Sequence, residues 1–348
     1  MKKTLKLRVT LVIAIFITLT LMTFSAAQDY ETFGKVRKII GKAEITLLGK
    51  DSAQKLEINQ NVLLGDTIET FEESQVEIVF TDGKTIITIH DRTKVKLSTI
   101  LNADNQNQSL ISVFFGSISS FVNKLIGKSS YIIQTPNGTV SVRGTDFTVA
   151  VTDTADLLVS VNEGVVGYQK NEDESPVLLE KGNSCVVDLG RSPEIQTGLV
   201  ESTSWISERN ANIDNVAEEK SAQLNVMLPQ VFLAIISVTK DLDDFMKNSI
   251  IMKILRGRLT PFDIIKLSSQ RGNFSQFIYK QYYRLTLYDT IVLFAYRFFD
   301  YRSTYDASLI ERRDEAWQKH LQISTNLDNL LKLYRAVLIN PILRSIFL

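Results

Sequence analysis

Residues 135–149 read TPNGTVSVRGTDFTV, and this stretch combines a turn signal with two short strand patterns. Pro136 fixes its own φ, and the pair Asn137–Gly138 accepts left-handed backbone, so the first four residues predict a tight turn that enters a strand. Beyond the turn, Val140 and Val142 lie on one face of the predicted strand, and the polar residues between them lie on the other. Such alternation is typical of a β-strand with one buried face.

The alternation changes phase at Gly144. Before this glycine the apolar positions carry even numbers, whereas after it they are Phe147, Val149 and Val151. Because side chains alternate with period two, the inward face can continue only if one extra residue is absorbed between the two runs. The sequence therefore predicts a β-bulge or corner at Gly144.

Two charged residues, Arg143 and Asp146, flank this predicted corner. Charges that are buried or half-buried persist when they are paired and hydrogen-bonded, so one interpretation is a structural latch between the two side chains. The other interpretation is an arginine that contacts an anion. We favour the latch, because a single arginine without companions is weak support for an anion site.

Several ordered blocks of the sequence resemble the FecR family, which is known for the periplasmic parts of iron–siderophore signalling regulators. The core signature is matched at residues 135–136, 140–147 and 161–166. Further blocks at residues 64–70, 79–83 and 179–183 fit the same family, so the resemblance covers roughly residues 34 to 190. The motif is interpreted as structural, and its residues are Thr135, Pro136, Arg143, Gly144, Thr145, Asp146, Phe147, Glu163 and Gly164.

The resemblance implies a twisted, solenoid-like β fold in the periplasm or cell envelope. The strand pattern alone does not distinguish a solenoid from a sandwich. Regulators of this family carry a cytoplasmic anti-sigma segment before a membrane span, whereas this chain begins with an export signal, so we expect that sigma-factor control does not carry over. Nothing after residue 199 resembles the short domain through which those regulators engage the signalling domain of an outer-membrane receptor.

The N-terminus has the pattern of a secretory signal. An apolar run from Val9 to Phe24 follows a basic start and precedes small residues, with Ser25 at position −3 and Ala27 at position −1 of the predicted cleavage site. The alternative is an uncleaved membrane anchor, but the run is shorter than the roughly 20 residues of a typical span. We therefore expect cleavage of residues 1–27 and an exported protein without a transmembrane span. The basic residues are Lys2, Lys3, Lys6 and Arg8.

The composition is that of an ordinary globular chain. Its 348 residues are 44% hydrophobic, and 39 basic residues balance 39 acidic ones. This length leaves room for about two domains. A neutral chain without a strongly basic region cannot neutralise a phosphate backbone, so nucleic acid is not expected as a partner.

The sequence offers no set of residues that converge for catalysis. His90 and His320 are its only histidines and lie in different predicted domains, so zinc sites and histidine-based triads lack components. It contains no phosphate-binding glycine loop and no nucleophile elbow. The single cysteine, Cys185, is interpreted as a small buried hydrophobe. We predict no enzyme activity, no catalytic or metal site and no cofactor.

Short β-type runs separated by Gly, Asn, Asp and Ser predict an all-β domain over residues 28–199. At Asp82–Gly83, a two-residue loop would place Ile78 opposite Ile87 and Val76 opposite Ile89 if the flanking strands form a hairpin. In a solenoid the same turn would be a corner. The predicted strands are 36–40, 43–48, 75–81, 84–89, 94–97, 110–115, 131–134, 157–161, 165–169 and 183–188.

Helical spacing replaces alternation near residue 199, where glycine also becomes rare, and this predicts a bundle of four or five helices over residues 200–348. Thr260 before Pro261 marks one helix start, and Asp306 marks another. Gln230–Val238 and Ile339–Leu348 are apolar but too short to span a bilayer, so they are interpreted as bundle core or as a docking face. The predicted helices are 203–226, 229–254, 261–270, 273–302 and 306–339.

Aromatic and basic residues of this region could form a cationic aromatic surface, but we interpret most of them as packing between helices. They are Tyr279, Tyr282, Tyr283, Tyr288, Tyr296, Tyr301, Tyr305, Arg284, Arg297 and Arg302.

The leading functional interpretation is an exported, non-catalytic envelope protein that serves in protein–protein interaction or signalling, with an unidentified envelope protein as partner. The alternative is a structural or adhesive envelope scaffold, in which the β domain is a rigid spacer and the helices are the attachment site. A third is a periplasmic sensor of a small molecule such as an iron chelate, for which the sequence names no ligand.

Overall fold

The computed structural model describes residues 32–50, 52–101, 107–121, 130–142, 144–170 and 175–339. The predicted signal, Arg143 and the end of the apolar segment Ile339–Leu348 lie outside these residues. In the described part, seventeen β-strands between residues 32 and 197 precede six α-helices. The predicted order, an all-β part followed by an all-α part, is confirmed.

The strands are β1 (Thr32–Ile40), β2 (Ala43–Thr46), β3 (Gln54–Lys55), β4 (Asn61–Leu63), β5 (Thr67–Thr70), β6 (Gln75–Phe80), β7 (Ile86–Ile89), β8 (Lys94–Leu101), β9 (Asn107–Phe121), β10 (Ser130–Thr135), β11 (Gly138–Val142), β12 (Asp146–Val151), β13 (Leu157–Glu163), β14 (Val165–Gln169), β15 (Val177–Glu180), β16 (Asn183–Val187) and β17 (Glu194–Thr197). The helices are α1 (Ser202–Ala211), α2 (Ile213–Met246), α3 (Ser249–Leu255), α4 (Pro261–Ser269), α5 (Arg271–Ser303) and α6 (Ile310–Ile339), with a 3₁₀ turn at Ala307–Leu309.

The strands form two sheets that share β9. Sheet 1 has the order β4-β1-β6-β7-β9-β12-β13-β16-β17. Sheet 2 has the order β3-β2-β5-β8-β9-β10-β11-β14-β15. Beyond the first pair of each sheet, strand numbers only increase, so the chain advances along the stack as in a solenoid. Among the described strand pairs, only β9 with β10 is parallel.

One apolar core fills the space between the sheets, which gives the fold the cross-section of a sandwich. Ile78 and Val159 of sheet 1 lie in the same fully buried cluster as Val95 and Ile133 of sheet 2. Alternation along each strand directs these side chains to one common layer. Cys185 of β16 belongs to this cluster, and burial raises the pKa of its thiol to about 11. Its interpretation as a buried hydrophobe is confirmed.

Strand β9 passes from one sheet to the other at Gly116. Its residues up to Phe115 pair in sheet 2, and its residues from Gly116 onward pair in sheet 1. Gly116 has a φ of +87°, and a Cβ at this position would lie 2.5 Å from Thr93 Cα and 2.6 Å from the carbonyl oxygen of Arg92. Only glycine combines this left-handed backbone with such a close approach. The sequence-based strand ended at residue 115 because the crossing glycine interrupts its pattern.

The hairpin register predicted at Asp82–Gly83 is confirmed, since both predicted apolar pairs face each other. The turn, however, is longer than two residues, because β6 ends at Phe80 and β7 begins at Ile86. The Asp82 carboxylate accepts hydrogen bonds from the backbone N–H groups of Lys84 and Thr85 and from the Thr85 hydroxyl, at 2.6–2.8 Å. These bonds stabilise the longer turn.

The predicted helix break between residues 226 and 229 is wrong, because α2 continues through Pro229. Proline lacks the N–H that would bond to the carbonyl of Asn225. Both residues are exposed, so water can solvate that carbonyl and the helix can continue. The chain breaks instead at Asn212 and after Met246, which gives six helices in the described part of residues 200–348 rather than four or five.

The two predicted helix starts are present. The Thr260 hydroxyl accepts a hydrogen bond from the Asp263 N–H, the Asp263 carboxylate accepts one from the Thr260 N–H, and Pro261 takes the first helical position. Asp306 caps the 3₁₀ turn that leads into α6.

The length and composition of α2 would allow it to cross a membrane, and among the described helices it alone has this property. In the fold, 28% of its most apolar window is buried. Gln230–Val238 is too short to span a bilayer, but it lies within α2, which has 34 residues and is long enough.

We expect Gly116→Ala to destabilise the protein more than Gly182→Ala. Gly182 has a similar φ of +81° but has nothing within 4 Å of an added Cβ, so it isolates the backbone strain of about 1 kcal/mol. At Gly116 the added methyl group also collides with backbone, which adds roughly 1–3 kcal/mol. Urea denaturation of both variants measures the difference. Equal losses would show that the crossing does not depend on close packing.

Candidate functional site

The helices cover the β part through a shared hydrophobic cluster, which we call the junction. It contains Leu64, Leu110, Ala155 and Leu189 of the β part together with the buried faces of the helices. In β8, Val95 and Leu97 face the core between the sheets, so Lys96 and Ser98 face α5. The division of the chain into domains at residue 199 stays a prediction, since residues on both sides share this cluster.

A buried carboxylate at the junction connects three elements. Asp289 of α5 is fully buried and accepts hydrogen bonds from Lys96 Nζ of β8 at 2.5 Å and from His320 Nδ1 of α6 at 2.6 Å. Burial alone would raise the pKa of Asp289, but Lys96 and His320 outweigh it and hold the pKa well below its ordinary value. In the sequence His320 stands isolated, because its partners in the fold are distant in the chain.

Tyrosines of α5 attach this helix to sheet 2. The Tyr282 hydroxyl lies 2.5 Å from Ser98 Oγ, and burial raises the pKa of this tyrosine. The Tyr283 hydroxyl lies 3.2 Å from Thr139 Oγ1, and its carbonyl accepts a hydrogen bond from Gln134 Nε2 at 2.9 Å. These two tyrosines are packing residues, as interpreted from the sequence. Tyr305, in contrast, is 71% exposed.

A second buried carboxylate, Asp156, lies in the turn between β12 and β13. It accepts hydrogen bonds from Lys220 Nζ at 2.6 Å, Arg209 Nη1 at 2.9 Å, the Thr154 hydroxyl at 2.9 Å and the Leu189 N–H at 3.0 Å. Burial would raise the pKa of Asp156, but these donors outweigh it and lower the pKa. Because Arg209 belongs to α1 and Lys220 to α2, this carboxylate fixes both helices on the β part.

The motif around Gly144 forms a corner between the sheets. Thr135 and Pro136 close the β10–β11 turn, in which the Thr135 hydroxyl donates to the Gly138 carbonyl at 2.8 Å. Gly144 has a φ of +68° and lies between β11 of sheet 2 and β12 of sheet 1. Phe147, beyond the corner, is fully buried in the core. The phase change in the sequence thus marks the point where the chain changes sheets.

The other motif residues support this corner. Gly164 has a φ of +89°, and a Cβ there would lie 2.5 Å from Thr145 Cγ2. Asp146 faces Glu163 across β12 and β13, and its carboxylate accepts a hydrogen bond from Asn162 Nδ2 at 3.2 Å. Arg143 lies outside the described residues, so the latch and the anion contact both stay predictions. The interpretation of the whole motif as structural also stays a prediction.

A groove between the β part and the helices contains charges that pair with one another. Arg297 of α5 lies 3.1 Å from Asp153, and its guanidinium lies 3.5 Å from the ring centroid of Phe115. Across the groove, Arg92 pairs with Glu72. Both arginines of the groove are thus paired with acids of the chain itself, and Glu73 and Asp91 also line it, so the groove does not indicate an anionic ligand.

Neither histidine lies in a complete catalytic set among the described residues. His90 Nε2 lies 2.8 Å from Ser119 Oγ, which in turn lies 3.0 Å from Thr148 Oγ1. Burial lowers the pKa of His90. In the described part of the chain no carboxylate is hydrogen-bonded to this histidine, so the pair lacks the group that orients the base in a triad. That part also contains no group of three His, Cys, Asp or Glu residues suited to a metal ion.

The outer face of α2 exposes a row of apolar residues, which we call the α2 stripe. It consists of Ala222, Val226, Pro229, Leu233 and Ile236. Val226 is 78% exposed, Leu233 62% and Ile236 50%. On the opposite face of α2, Val231, Ile235 and Val238 are buried in the junction. Gln230–Val238 therefore contributes to both the helical core and an exposed face.

We expect Asp156→Asn to lower the free energy of unfolding by about 3 kcal/mol, because it leaves the buried Lys220 without its carboxylate. Combining it with Lys220→Met should cost less than the sum of the two single changes, since the pair is then removed together. Guanidinium denaturation of the three variants measures this coupling.

Asp188→Asn is the matched control for this pair. Asp188 also contacts Arg209, at 2.6 Å, but its side chain is 28% exposed. Its loss should cost less than about 1 kcal/mol. Additive effects of Asp156→Asn and Lys220→Met would contradict the coupling.

Acid should weaken the helical part through two helix caps. Hydrogen bonds from the Ser204 and Thr203 N–H groups lower the pKa of Glu201 to about 2, and contacts with Lys253 and Thr260 lower that of Asp263 to about 2. Because the folded-state pKa of each carboxyl lies below its ordinary pKa, the ionised carboxylate stabilises the fold at pH values above the ordinary pKa. This stabilisation is lost as the pH falls through about 2, the folded-state pKa. The difference between wild type and Glu201→Gln or Asp263→Asn, from denaturation at several pH values, should therefore vanish near pH 2. A difference that stays constant would contradict these caps.

Comparison with known proteins gives a family and two solved structures. Residues 66–167, from before β5 to within β14, match the family model described as FecR protein. No curated protein matches the chain. Two crystal structures of a candidate anti-sigma factor from Parabacteroides distasonis ATCC 8503, at 2.50 and 1.65 Å resolution, share 20% sequence identity with it, each with a TM-score of 0.32.

These similarities are partial in length. The two structural matches cover 38% and 40% of this chain and 59% and 63% of the matched chains, which is less than two thirds of their length. The family match, in contrast, contains the core motif around Gly144 and ends one residue beyond the block at residues 161–166. Residues 66–167 thus match the FecR family model, within the range of roughly 34 to 190 over which the sequence resembles that family.

Proposed function

We propose that this chain is an exported, non-catalytic protein of the cell envelope that acts in signalling through protein contacts made by its helices. The FecR match over residues 66–167 supports a regulatory role in the envelope. The basic start, apolar run and small residues of the first 27 positions support export. The observation that carries the proposal is the α2 stripe, because a row of large exposed apolar side chains on a packed helix is typical of an interaction surface.

The junction gives this surface a fixed position. Lys220, on the inward side of α2, is held by Asp156, and Thr239 near the other end accepts hydrogen bonds from Gln322 and Asn326 of α6 at 3.1 and 2.8 Å. Helix α2 is thus held on the protein at both ends of the stripe. A rigid surface loses little conformational entropy when a partner binds.

The chemistry of the described residues supports a non-catalytic role. The one cysteine is buried in the core with a raised pKa, which disfavours the reactive thiolate. His320 is engaged by a buried carboxylate at the junction, and His90 lacks an orienting acid in the described part. These contacts support a structural role for both histidines.

Photo-crosslinking in cells tests the proposal. A benzoylphenylalanine at position 233 should give a discrete protein adduct in the envelope fraction, and the recovered chain should begin at Gln28. The matched control is position 178 on β15, where Leu178 is 64% exposed and Leu233 is 62% exposed. Adducts from both positions alike, or a chain retained in the cytosol, would contradict the proposal.

A further inference from the structure

The spacing of the α2 stripe is that of a coiled-coil seam. Its members follow one another at intervals of four, three, four and three residues from Ala222 to Ile236, and Lys240 continues the row. A seam of this period packs against another helix along its whole length. The flanking exposed positions carry Gln, Asn and Ser, and no charged residue occurs between Ser221 and Thr239.

A lipid surface is a poor match for this face. Helices that lie on membranes carry Lys and Arg beside their apolar face. Here exposed acids stand at both ends of the stripe, with Glu218 and Glu219 at one end and Asp241, Asp243 and Asp244 at the other. Acids at these positions are repelled by anionic lipid. A helix is therefore the better partner.

The stripe is complementary to itself when two copies run antiparallel. A two-fold axis at position 231 pairs Ala222 with Lys240, Val226 with Ile236 and Pro229 with Leu233. Each of these pairs joins a smaller side chain to a larger one, so the two rows interdigitate as knobs and holes do. Uncharged flanks also avoid repulsion between like charges along the seam.

The acidic ends do not select a direction, because acids stand at both ends of the stripe and meet acids of the other copy in either arrangement. Lys240 does distinguish the two directions. Antiparallel pairing places Lys240 beside Ala222, one helical turn from Glu218 and Glu219 of the other copy, whereas parallel pairing would place Lys240 against Lys240.

We propose that the α2 stripe is the contact between two copies of this chain, packed antiparallel. The proposal rests on the proposed function, whose partner surface it assigns to a second copy. The seam from Ala222 to Lys240 is about 27 Å long at 1.5 Å per residue. One helix pair of this length buries less than a standard interface of about 800 Å² per partner. An interface of this size is typical of weak association, so we expect a dissociation constant on the order of micromolar.

Sedimentation equilibrium of the full chain over about 1 to 300 μM tests for the dimer. Wild type should associate reversibly, and Leu233→Glu should weaken association at least tenfold. Leu178→Glu, an equally exposed leucine on β15, should associate like wild type. Circular dichroism shows whether each variant is folded. A folded wild type that stays monomeric throughout, or a Leu233→Glu variant that associates normally, would overturn the proposal.

Disulfide trapping tests the direction of the pair. The natural Cys185 is buried and stays out of the reaction. Under mild oxidation, a mixture of Val226→Cys and Ile236→Cys chains should form mixed dimers, whereas each variant alone should crosslink poorly. Homodimers of each variant alone would indicate parallel pairing and overturn the antiparallel contact.

The outcomes separate this proposal from the proposed function. Mass spectrometry of the adduct formed at position 233 in cells identifies what was captured. A different protein there, with a monomeric chain in solution, would overturn the dimer and leave the proposed function standing. A dimer in solution with no envelope adduct at position 233 would overturn the proposed function and leave the dimer standing.

Discussion

Two buried carboxylates hold the helices on the β part, and the remaining architecture depends on them. Asp289 joins β8 to α5 and α6, and Asp156 joins the β12–β13 turn to α1 and α2. A buried charge is costly unless its partners are in place, so each carboxylate accepts only one arrangement of the elements around it. Apolar packing alone is less directional, because the hydrophobic effect depends on the area buried and not on the orientation of the groups.

The β part supports the exposed helix surface through α5 and through the Asp156 turn. The β10–β11 hairpin, closed by Thr135 and Pro136, meets Tyr283 of α5 through Thr139 and Gln134. Sheet 2 therefore supports α5, and the Asp156 turn supports α2. The FecR segment supplies the rigid base, while the surface that can meet a partner belongs to the helices beyond it. A likeness confined to residues 66–167 would not reveal that surface.

Local patterns in the sequence predicted most of the β part. Period-two alternation, the Thr-Pro-Asn-Gly turn and the phase change at Gly144 predicted the longer strands, the hairpin register and the corner, because each depends on neighbouring residues. The prediction missed β3, β4, β5, β15 and β17, which have only two to four residues each and so show little alternation. The junction could not be predicted in this way. Lys96 and Asp289 are 193 residues apart, so nothing local marks them as a pair. The predicted helix break at Pro229 is wrong because the free-energy cost of a proline within a helix depends on whether the unpaired carbonyl is exposed to water. That exposure is a property of the fold.

Hydropathy alone gives α2 three possible roles, as a membrane span, a core helix or a docking face. The structure reduces this ambiguity, because the buried Lys220 and the hydrogen-bonded Thr239 commit one side of the helix to the protein. What remains is a narrow apolar row on the opposite side. A core helix would hide that row, whereas a helix in contact with lipid on all sides would not keep a buried ion pair with the β part. An unburied row with the period of a coiled coil is the arrangement expected when the missing neighbour is another helix.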